Sequence, residues 1–219
     1  VQDVAGLKVL EDVCHEYLKL FGYEDMFISI ATHEWMQAFP PDEAKASSVI
    51  AMGGIIAALA GATQVITKTT EEFEGIPTKE ANAGGLRATK MAINMIGDRR
   101  LPVDDEVRQE MEIIRMEACS ILDRTLELGD GDIAIGAVRG FEAGVIDVPW
   151  APNRHSKGMV IPVRDAKRAV RYLEFGDLPF SKEVKEYHKA KLKEREVKEN
   201  RKMDYETAIF DVSEISQFI

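Results

Sequence analysis

The feature that most constrains the fold is the alternation of short apolar runs with helical patterns in the first half of the chain. Residues 25–31 and 64–67 are β-prone runs, and each precedes a loop and a helical pattern, the first over residues 42–60 and the second ending near residue 96. This alternation predicts a parallel sheet with crossover helices. Because residues 25–31 are almost continuously apolar, we expect that strand to be buried on both faces. Two such units do not decide between an open sheet and a (β/α)8 barrel.

The chain carries a net charge of −10, from 38 acidic and 28 basic residues. General binding to nucleic acids or to anionic membranes needs a basic surface, so this charge argues against both partners. Residues 49–65 form the longest nearly uncharged apolar run, but Gly53, Gly54 and Gly61 interrupt it. A buried helix followed by a strand explains this run better than a membrane span does. We therefore expect a soluble, cytoplasmic protein.

An amphipathic helix is predicted over residues 4–21, and Gly22 is placed to end it. Its apolar stripe comprises Val4, Leu7, Leu10, Cys14, Tyr17, Leu18 and Phe21. Because Cys14 and Cys119 both fall in helical patterns, we expect them to be reduced thiols in the core of a cytosolic protein. The pattern over residues 42–60 is apolar nearly all round, so that helix should be well buried.

The second half of the chain has a different character. Asp104 or Asp105 is placed to cap a long helix that ends near Leu128. Four shorter elements follow: a helical or mixed segment at residues 132–144, a proline-containing loop at residues 147–165, a strand at residues 170–175, and a charged helix that Ser181 caps and that runs to about Arg201. The Lys/Glu pairs of this last helix predict a largely solvated face.

The end of the second predicted strand carries the most informative side chains. Lys68 follows the β-prone run, Glu72 comes four residues later, and a turn at residues 75–78 leads into the next helical pattern. Loops at the carboxyl ends of parallel strands converge on one face and often carry chemistry. The pair is therefore either a functional site or a plain salt bridge in a loop. In a functional site the pair would bind ribose hydroxyls, or Lys68 would form a Schiff base.

The loop after the first predicted strand, residues 33–41, lies at the equivalent position and is rich in large side chains. His33 is either a base or hydrogen-bond donor, or a loop histidine with a structural partner. Trp35, Met36 and Phe39 either line a flat apolar ligand pocket or belong to the core.

Two adjacent glycines, Gly84 and Gly85, lie inside the third helical pattern. Glycine within a helix costs stability unless the backbone must approach a neighbouring group closely. A close approach at this helix would therefore explain their presence.

Residues 153–158 are close to the Asp-x-His-x-x-Gly signature in which a histidine binds the cobalt of cobalamin. Asn153 replaces the aspartate, and residues 159–162 are not the helix that should follow. We interpret the match as coincidence and predict no metal site in this chain. His15 and His188 fall on amphipathic helices, and we expect no chemical role for either.

Longer, ordered matches identify a resemblance to the large (epsilon) subunit of glutamate mutase, also called methylaspartate mutase. The matching segments are residues 56–63, 75–83, 88–92, 131–136, 162–165 and 170–176. They cover nearly the whole chain and are far more specific than a short motif. The family chain is longer, and the resemblance is to its C-terminal half.

The resemblance implies an α/β fold, namely the C-terminal part of a (β/α)8 TIM-type barrel with a mainly helical C-terminal extension. Residues 1–97 would be late strands and helices of the barrel, and residues 98–219 would pack on it. It also implies an isomerase that interconverts L-glutamate and threo-3-methyl-L-aspartate by an adenosylcobalamin-dependent radical rearrangement. A small partner subunit would supply the cobalt-binding histidine, and the family assembly has two large and two small subunits.

Carried over by position, the adenosyl-binding residues of the family fall on Phe39, Lys68, Glu72 and Ile76. The lysine and the glutamate would hold the ribose of the 5′-deoxyadenosyl group, and the other two would form apolar walls. His33 and Met36 should lie close by. Thr70 stands where a proline is common in the family. The substrate-binding residues of the family belong to its N-terminal half, so the resemblance gives no catalytic residue here.

Two other hypotheses stay open at this point. In the first, Lys68 is the Schiff-base lysine of a different barrel enzyme. In the second, the chain is a non-catalytic half-barrel that binds another chain.

Overall fold

The computed structural model describes residues 1–36, 38–150 and 153–217. Within these residues the elements are α1 Gln2–Leu20, β1 Ala31–His33, α2 Glu43–Ala60, β2 Gln64–Ile66, α3 Lys79–Ile96, α4 Asp105–Leu128, α5 Ile133–Ala143, β3 Val160–Arg164, β4 Val170–Phe175, α6 Lys182–Glu199 and α7 Tyr205–Gln217. They form two compact units. The first comprises residues 1–111 with the last residues from Val212, and the second comprises residues 112–211.

The first unit is organised around a parallel strand pair. Strands β1 and β2 align Ala31 with Gln64 and His33 with Ile66, and helix α2 connects them. The ladder extends one residue further, since the Glu34 amide donates to the Ile66 carbonyl at 3.1 Å. This confirms the predicted strand–helix alternation with parallel pairing. The loops that follow the two strands therefore leave the sheet at the same edge.

Helices α2 and α3 begin at N-capping side chains, Asp42 and Thr78. The Asp42 carboxylate accepts from the Lys45 amide at 2.9 Å, and the Thr78 hydroxyl accepts from the Ala81 amide at 3.2 Å. The two helices pack closely at Gly54, where a Cβ atom would lie 3.0 Å from the Thr89 carbonyl oxygen. A residue without a side chain, Gly54, therefore lies where α2 and α3 approach each other closely.

The prediction that α2 is well buried is correct for one side only, because its neighbours cover only that side in the described part of the chain. Its buried residues are Ala46, Ile50, Gly54, Ala57, Ala58 and Ala60, whereas Met52 is 55% exposed. Within the described residues this is the one helix long and apolar enough to cross a membrane by length and composition. A single such helix is weak evidence, since core helices pass the same test.

The first predicted strand is shorter and less buried than expected. Strand β1 keeps only Ala31 of residues 25–31 and continues to His33, while Phe27 is 86% and Met26 is 48% exposed. A strand needs a neighbour to satisfy its backbone and cover its faces. Within the described residues β2 provides that ladder only from Ala31 onward. Burial of this run on both faces is therefore a wrong prediction for this chain.

Helix α1 is confirmed, and Gly22 follows it with a φ of 84°. Its stripe was predicted correctly only at Val4, since the other buried residues are Ala5, Val9 and Val13. Leu10 is 53% exposed and Cys14 is exposed, so Cys14 is not a core thiol. Helix α1 packs against α2, and this neighbour, rather than side-chain size, decides which face is buried.

The second unit contains an antiparallel hairpin. Strands β3 and β4 align Val160 with Phe175 and Arg164 with Val170, with an irregular register between Ile161 and Pro162. The predicted strand over residues 170–175 is confirmed, but β3 occupies the end of the predicted loop 147–165. Proline is tolerated in an edge strand at such an irregularity, so Pro162 did not prevent a strand. Residues 151–152 of that predicted loop lie outside the described residues.

The helices of the second unit agree largely with the sequence. Asp104 caps α4, since its carboxylate accepts from the Val107 amide at 2.9 Å. Segment 132–144 is helical, with Asp132 as the N-cap and Gly144 as the C-cap, and Ser181 caps α6. Helix α7 was not predicted. It starts where the Asp204 carboxylate accepts from the Thr207 amide at 2.8 Å.

The described strands form two separate two-stranded sheets, and they do not close into a barrel. The mixture of helices with a parallel strand pair agrees with the predicted α/β class. The (β/α)8 barrel, and the division into residues 1–97 and 98–219, stay predictions.

Candidate functional site

The loop after β2 holds the predicted lysine–glutamate pair. Lys68 Nζ lies 3.0 Å from Glu72 Oε2, and both side chains are 20% exposed. The other carboxylate oxygen, Glu72 Oε1, accepts from the Thr69 amide at 3.2 Å. Glu72 is therefore fixed by the loop backbone, and it in turn orients the Lys68 ammonium. Among the residues that the structure describes, Glu72 is the one hydrogen-bond partner of that ammonium, which can donate three hydrogen bonds.

A second glutamate, Glu71, closes this loop. Its carboxylate accepts from the Thr78 amide at 2.7 Å and from the Thr78 hydroxyl at 3.1 Å. The same hydroxyl caps α3. The loop that carries Lys68 and Glu72 is thus tied to the start of the next helix.

A buried carboxylate, Glu34, lies directly behind Lys68. Glu34 is 2% exposed, its Oε2 accepts from the Lys68 amide at 2.8 Å, and its Oε1 accepts from the Thr89 hydroxyl at 2.7 Å. Burial raises the pKa of the Glu34 carboxyl, although these two hydrogen bonds and the charge of His33 oppose the rise. Sequence reasoning missed Glu34. The available signal was a charged residue between a strand and the apolar Trp35 and Met36.

Two glycines make this arrangement possible by close approach. A Cβ atom on Gly53 would lie 2.6 Å from Glu34 Cγ, and one on Gly85 would lie 2.1 Å from the Lys68 carbonyl oxygen. A Cβ atom on Gly84 would meet nothing closer than Arg87 Nη2 at 4.0 Å. The predicted explanation for the paired glycines is therefore confirmed for Gly85 and not for Gly84.

The predicted apolar site residues have contrasting environments. Phe39 is buried at 7% exposure and packs with Ala46 and Ile50, so it belongs to the core in this structure. Met36 is 70% exposed and Ile76 is 99% exposed. The structure therefore leaves Met36 and Ile76 available to a ligand or partner, and it makes Phe39 a support of the loop. Gln37, within the same predicted loop, lies outside the described residues.

His33 and Trp35 make local hydrogen bonds after β1. His33 Nδ1 donates to the Glu34 carbonyl oxygen at 2.9 Å, which places a proton on Nδ1. Trp35 Nε1 donates to the Ala38 carbonyl oxygen at 3.1 Å. His33 is thus oriented by the backbone at the edge where Lys68 also lies.

A cavity of about 320 Å³ borders the loop on the side of the helices. It includes none of the predicted adenosyl-binding residues. Its lining residues are Glu43, Ser47, Ile50, Thr70, Glu71, Glu80, Ala81, Gly84, Gly85, Arg87 and Ala88. The candidate site is consequently the open surface at the strand ends rather than this cavity.

The second unit contains buried polar pairs with a different character. Arg171 Nε donates to Asp165 Oδ2 at 2.8 Å, and Arg195 binds Asp211 through its two terminal guanidinium nitrogens at 2.6 Å and 3.1 Å. The first pair lies within the β3–β4 hairpin, the second joins α6 to α7, and all four side chains are almost fully excluded from solvent. We assign them to the stability of the fold.

His188 is buried at 1% exposure, and its Nε2 lies 2.5 Å from Glu117 Oε1. In the described part of the chain, its Nδ1 has no hydrogen-bond partner. Burial, together with the Glu117 charge, raises the pKa of the neighbouring Tyr172 hydroxyl. Sequence reasoning placed His188 on a helix but missed its burial and its acidic partner.

Residues 153–158 form a turn in which the Asn153 side chain accepts from the His155 amide at 2.9 Å. His155 is exposed, and the Arg154 guanidinium donates to its Nε2 at 3.2 Å. Over residues 1–36, 38–150 and 153–217, no group of three or more His, Cys, Asp or Glu side chains is placed to hold a metal ion.

Comparison with known proteins gives a consistent family. A family model described as "Methylaspartate mutase E chain (MutE)" matches residues 1–219. The chain is 49% identical to the glutamate mutase epsilon subunit of Desulfitobacterium hafniense, over 99% of this chain and 45% of that protein. It is 45% identical to the epsilon subunit of Treponema denticola, over 98% of this chain and 44% of that protein. The chain therefore spans less than half the length of these relatives.

Proposed function

The chain belongs to the methylaspartate mutase E chain family, and from this premise we propose that it holds the 5′-deoxyadenosyl group of adenosylcobalamin in a glutamate mutase. The observation that carries the proposal is the oriented Lys68–Glu72 pair at the carboxyl ends of two parallel strands. Lys68, Glu72, Phe39 and Ile76 are the residues that we assign to this group. We assign no catalytic residue within the chain.

The pair suits the two hydroxyl groups of a ribose. A hydroxyl group accepts a hydrogen bond from an ammonium and donates one to a carboxylate, so a Lys–Glu pair can serve both hydroxyls. The 20% exposure of each side chain leaves room for such contacts without preparatory movement of the loop. Because Glu72 also accepts from the Thr69 amide, the pair is organised before the ligand binds.

The apolar residues around the pair suit the rest of the group. Ile76 and Met36 are exposed apolar side chains on the two loops that follow β1 and β2. Such side chains gain stability when a flat, partly apolar ligand covers them. Phe39 packs beneath the first loop with Ala46 and Ile50. To act as an apolar wall, part of the Phe39 ring would have to face the ligand. Because the ring is buried, we propose that Phe39 mainly supports the loop.

When it is bound, adenosylcobalamin supplies the radical chemistry of a carbon-skeleton rearrangement. The residues of this chain hold and orient the ribose, so that the adenosyl group occupies one defined position. His33 lies at the same sheet edge, where its hydrogen bond to the Glu34 carbonyl oxygen orients the ring. A fixed position matters because a small displacement of a reacting group costs a large part of the rate.

The complete reaction needs residues and partners beyond this chain. We propose that the assembled enzyme interconverts L-glutamate and threo-3-methyl-L-aspartate. In it, a small cobalamin-binding subunit supplies the cobalt ligand, and two large and two small subunits assemble. The matched region covers only 45% of the Desulfitobacterium hafniense relative. We expect the substrate-binding residues in the additional part, which would also complete the (β/α)8 barrel.

The geometry favours ribose binding over Schiff-base chemistry at Lys68. A nucleophilic lysine needs an uncharged amine, usually in a desolvated pocket. The Lys68 side chain is instead in contact with solvent and pairs with Glu72 at 3.0 Å. Trapping with borohydride and a carbonyl substrate should accordingly give no adduct at Lys68. The non-catalytic half-barrel is the other outcome of the test below.

The test is coenzyme binding by the assembled enzyme. We would combine the chain with the unmatched part of the Desulfitobacterium hafniense relative and a small subunit, and titrate adenosylcobalamin by equilibrium ultrafiltration. Each of Lys68→Ala and Glu72→Ala should weaken binding by about 10-fold to 100-fold, the value of a hydrogen bond to a charged group. Methylaspartate formation should fall with coenzyme occupancy.

Lys79→Ala provides the matched control, because Lys79 pairs with Glu80 at 3.6 Å but its side chain is 90% exposed. This variant should bind the coenzyme as the wild type does. Unchanged affinity in both Lys68→Ala and Glu72→Ala would contradict the proposed site. Binding without any turnover in the complete assembly would favour the non-catalytic alternative.

A further inference from the structure

Glu34 is a buried carboxylate that is hydrogen-bonded directly to the backbone of the proposed site. Nothing in the proposed function uses it. We infer that Glu34 is a positioning residue, which sets the place of Lys68 and thereby the affinity for the adenosyl group. The inference rests on the proposed function. It concerns a side chain on the neighbouring strand end rather than a contact to the ligand.

The first support is the pattern of backbone hydrogen bonds at the end of β2. The Lys68 amide donates to Glu34 at 2.8 Å, and the next amide, of Thr69, donates to Glu72 at 3.2 Å. Two successive amides are thus each held by a different carboxylate. Without Glu34, the Lys68 amide would lose its acceptor, and a buried donor without an acceptor is costly. The backbone at Lys68 would then shift toward another acceptor.

The second support is that the surrounding fold is built to hold Glu34. Thr89 on α3 donates to its second oxygen at 2.7 Å. On α2, Gly53 leaves the space that Glu34 Cγ occupies, since a Cβ atom there would be only 2.6 Å away. One carboxylate thereby connects both strand-end loops with both helices. A buried charge is expensive, so an arrangement of this kind needs compensation from such hydrogen bonds.

The third support is the location of Gly85 on the opposite side of Lys68. The Lys68 carbonyl oxygen lies so close to Gly85 that a Cβ atom there would be 2.1 Å away. The amide of Lys68 is held by Glu34 and its carbonyl group is confined by α3. Both backbone groups of Lys68 are therefore held in place, the amide by a hydrogen bond to Glu34 and the carbonyl group by contact with α3.

The inference predicts a different result for each of three substitutions. Glu34→Ala removes both acceptors. Glu34→Gln keeps one oxygen for the Lys68 amide, and its NH2 group can donate to the Thr89 hydroxyl, so it should restore most of the function. Gly53→Ala keeps the carboxylate but displaces it through the added Cβ atom. Gly84→Ala is the matched control, because its Cβ atom would have no contact closer than 4.0 Å.

The first measurement is hydrogen exchange of the Lys68 amide in the 219-residue chain. Exchange should accelerate by about tenfold in Glu34→Ala and Gly53→Ala, the equivalent of one lost hydrogen bond. It should stay close to the wild-type rate in Glu34→Gln and Gly84→Ala. This readout needs no coenzyme and no turnover.

The second measurement is adenosylcobalamin affinity in the complemented assembly, as a double-mutant cycle with Lys68→Ala. Glu34→Ala should weaken binding by about tenfold in the wild-type background and by much less when Lys68 is absent. Glu34→Gln should bind nearly as the wild type does. A merely structural role would give the same loss in both backgrounds and no rescue by glutamine.

The outcomes separate the two claims. If Lys68→Ala and Glu72→Ala both leave the affinity unchanged, the proposed function fails, and the inference fails with it. If Lys68→Ala alone leaves it unchanged, only the inference fails. If Lys68→Ala weakens binding but the effect of Glu34→Ala is additive to it, the inference alone is overturned. Unchanged exchange at the Lys68 amide in both Glu34→Ala and Gly53→Ala also overturns the inference alone.

Discussion

Two ion pairs in this molecule are made of the same kinds of group and have opposite surroundings. In the second unit, the Arg195 and Asp211 side chains are both 4% exposed, and two guanidinium nitrogens contact the carboxylate. In the first unit, the Lys68 and Glu72 side chains are each 20% exposed and share one contact at 3.0 Å. Each unit therefore contains a polar pair, but only one pair is open to a ligand.

The two pairs differ in how many of their donors and acceptors already have a partner within the protein. Asp211 Oδ2 also accepts from the Arg164 amide at 2.6 Å, and Arg195 also donates to the Arg164 carbonyl oxygen and to Glu199. Such a pair can only be broken at a cost, because each group would remain buried without its partner. The Lys68 ammonium, by contrast, can still donate to a bound hydroxyl group. The Arg195–Asp211 pair is therefore costly to break, whereas the Lys68–Glu72 pair keeps hydrogen-bonding capacity for a ligand.

Removal of the Asp211 carboxylate should cause the largest loss of stability. Asp211→Ala leaves the Arg195 guanidinium buried without its bidentate partner, so the free energy of unfolding should fall by about 3–5 kcal/mol. Urea unfolding followed by Trp150 fluorescence in a Trp35→Phe background would report on the second unit. Lys182→Ala is the control, because Lys182 pairs with Glu186 at 3.5 Å with its side chain 89% exposed. If Asp211→Ala lowers the free energy of unfolding by less than about 1 kcal/mol, the buried pair stabilises the fold no more than a surface salt bridge does.

The sequence predicted the parts of the molecule that depend on neighbours close along the chain. The strand–helix alternation, the caps at Asp104 and Ser181, and the Lys68–Glu72 pair are all carried by residues within a few positions of one another. Local hydrogen bonds and turn preferences determine such features. The residue types allowed either a ribose or a Schiff base at this pair, and the choice of a ribose came from the family resemblance.

The parts that the sequence did not predict depend on distant contacts. Glu34 bonds to residues 34 and 55 positions away, and His188 bonds to a residue 71 positions away. The exposure of Cys14 and Phe27 likewise follows from which segments lie against them. Periodicity indicates an apolar face, but it does not identify the neighbour that covers that face.

Alanine substitutions at Gly84 and Gly85 in α3 test whether the backbone of Lys68 is confined. We expect their effect on the free energy of unfolding to be intermediate in size. Gly85→Ala places a Cβ atom 2.1 Å from the Lys68 carbonyl oxygen, so the backbone must move. We expect a loss of about 1–3 kcal/mol in the free energy of unfolding, as for other overpacked sites. Gly84→Ala, one residue earlier, should instead stabilise the helix by about 0.5–1 kcal/mol. Urea unfolding followed by Trp35 fluorescence in a Trp150→Phe background measures both.

The same two variants also sharpen the comparison between the ion pairs. Gly85→Ala should weaken adenosylcobalamin binding in the complemented assembly, because the backbone that carries Lys68 shifts, whereas Gly84→Ala should not. Equal stability of the two variants would show that the loop yields freely at Lys68. The Lys68–Glu72 pair would then be no more organised than an ordinary surface salt bridge.

The smallest expected effect is the pH dependence that Glu34 adds to the stability of the first unit. Burial raises the pKa of this carboxyl in the folded chain above its ordinary value of 4.5, against the hydrogen bonds from Lys68 and Thr89 and the charge of His33, while the nearby Glu72 adds to the rise. Between the unfolded and the folded pKa, the folded chain holds more protons than the unfolded chain. The wild type must therefore lose stability as the pH rises through that window, by at most about 1.4 kcal/mol per pH unit.

Glu34→Gln removes this titration and keeps the shape of the side chain, so the difference between the variant and the wild type isolates it. The free energy of unfolding of Glu34→Gln minus that of the wild type should increase from about pH 4.5 upward and become constant above the folded pKa. Urea unfolding at a series of pH values, followed by Trp35 fluorescence, measures the profile. Glu74→Gln, at an exposed carboxylate of the β2–α3 loop, is the matched control. Identical profiles for the two variants would mean that Glu34 is solvated like a surface residue, and the contrast between a buried support and an exposed binding pair would then be lost.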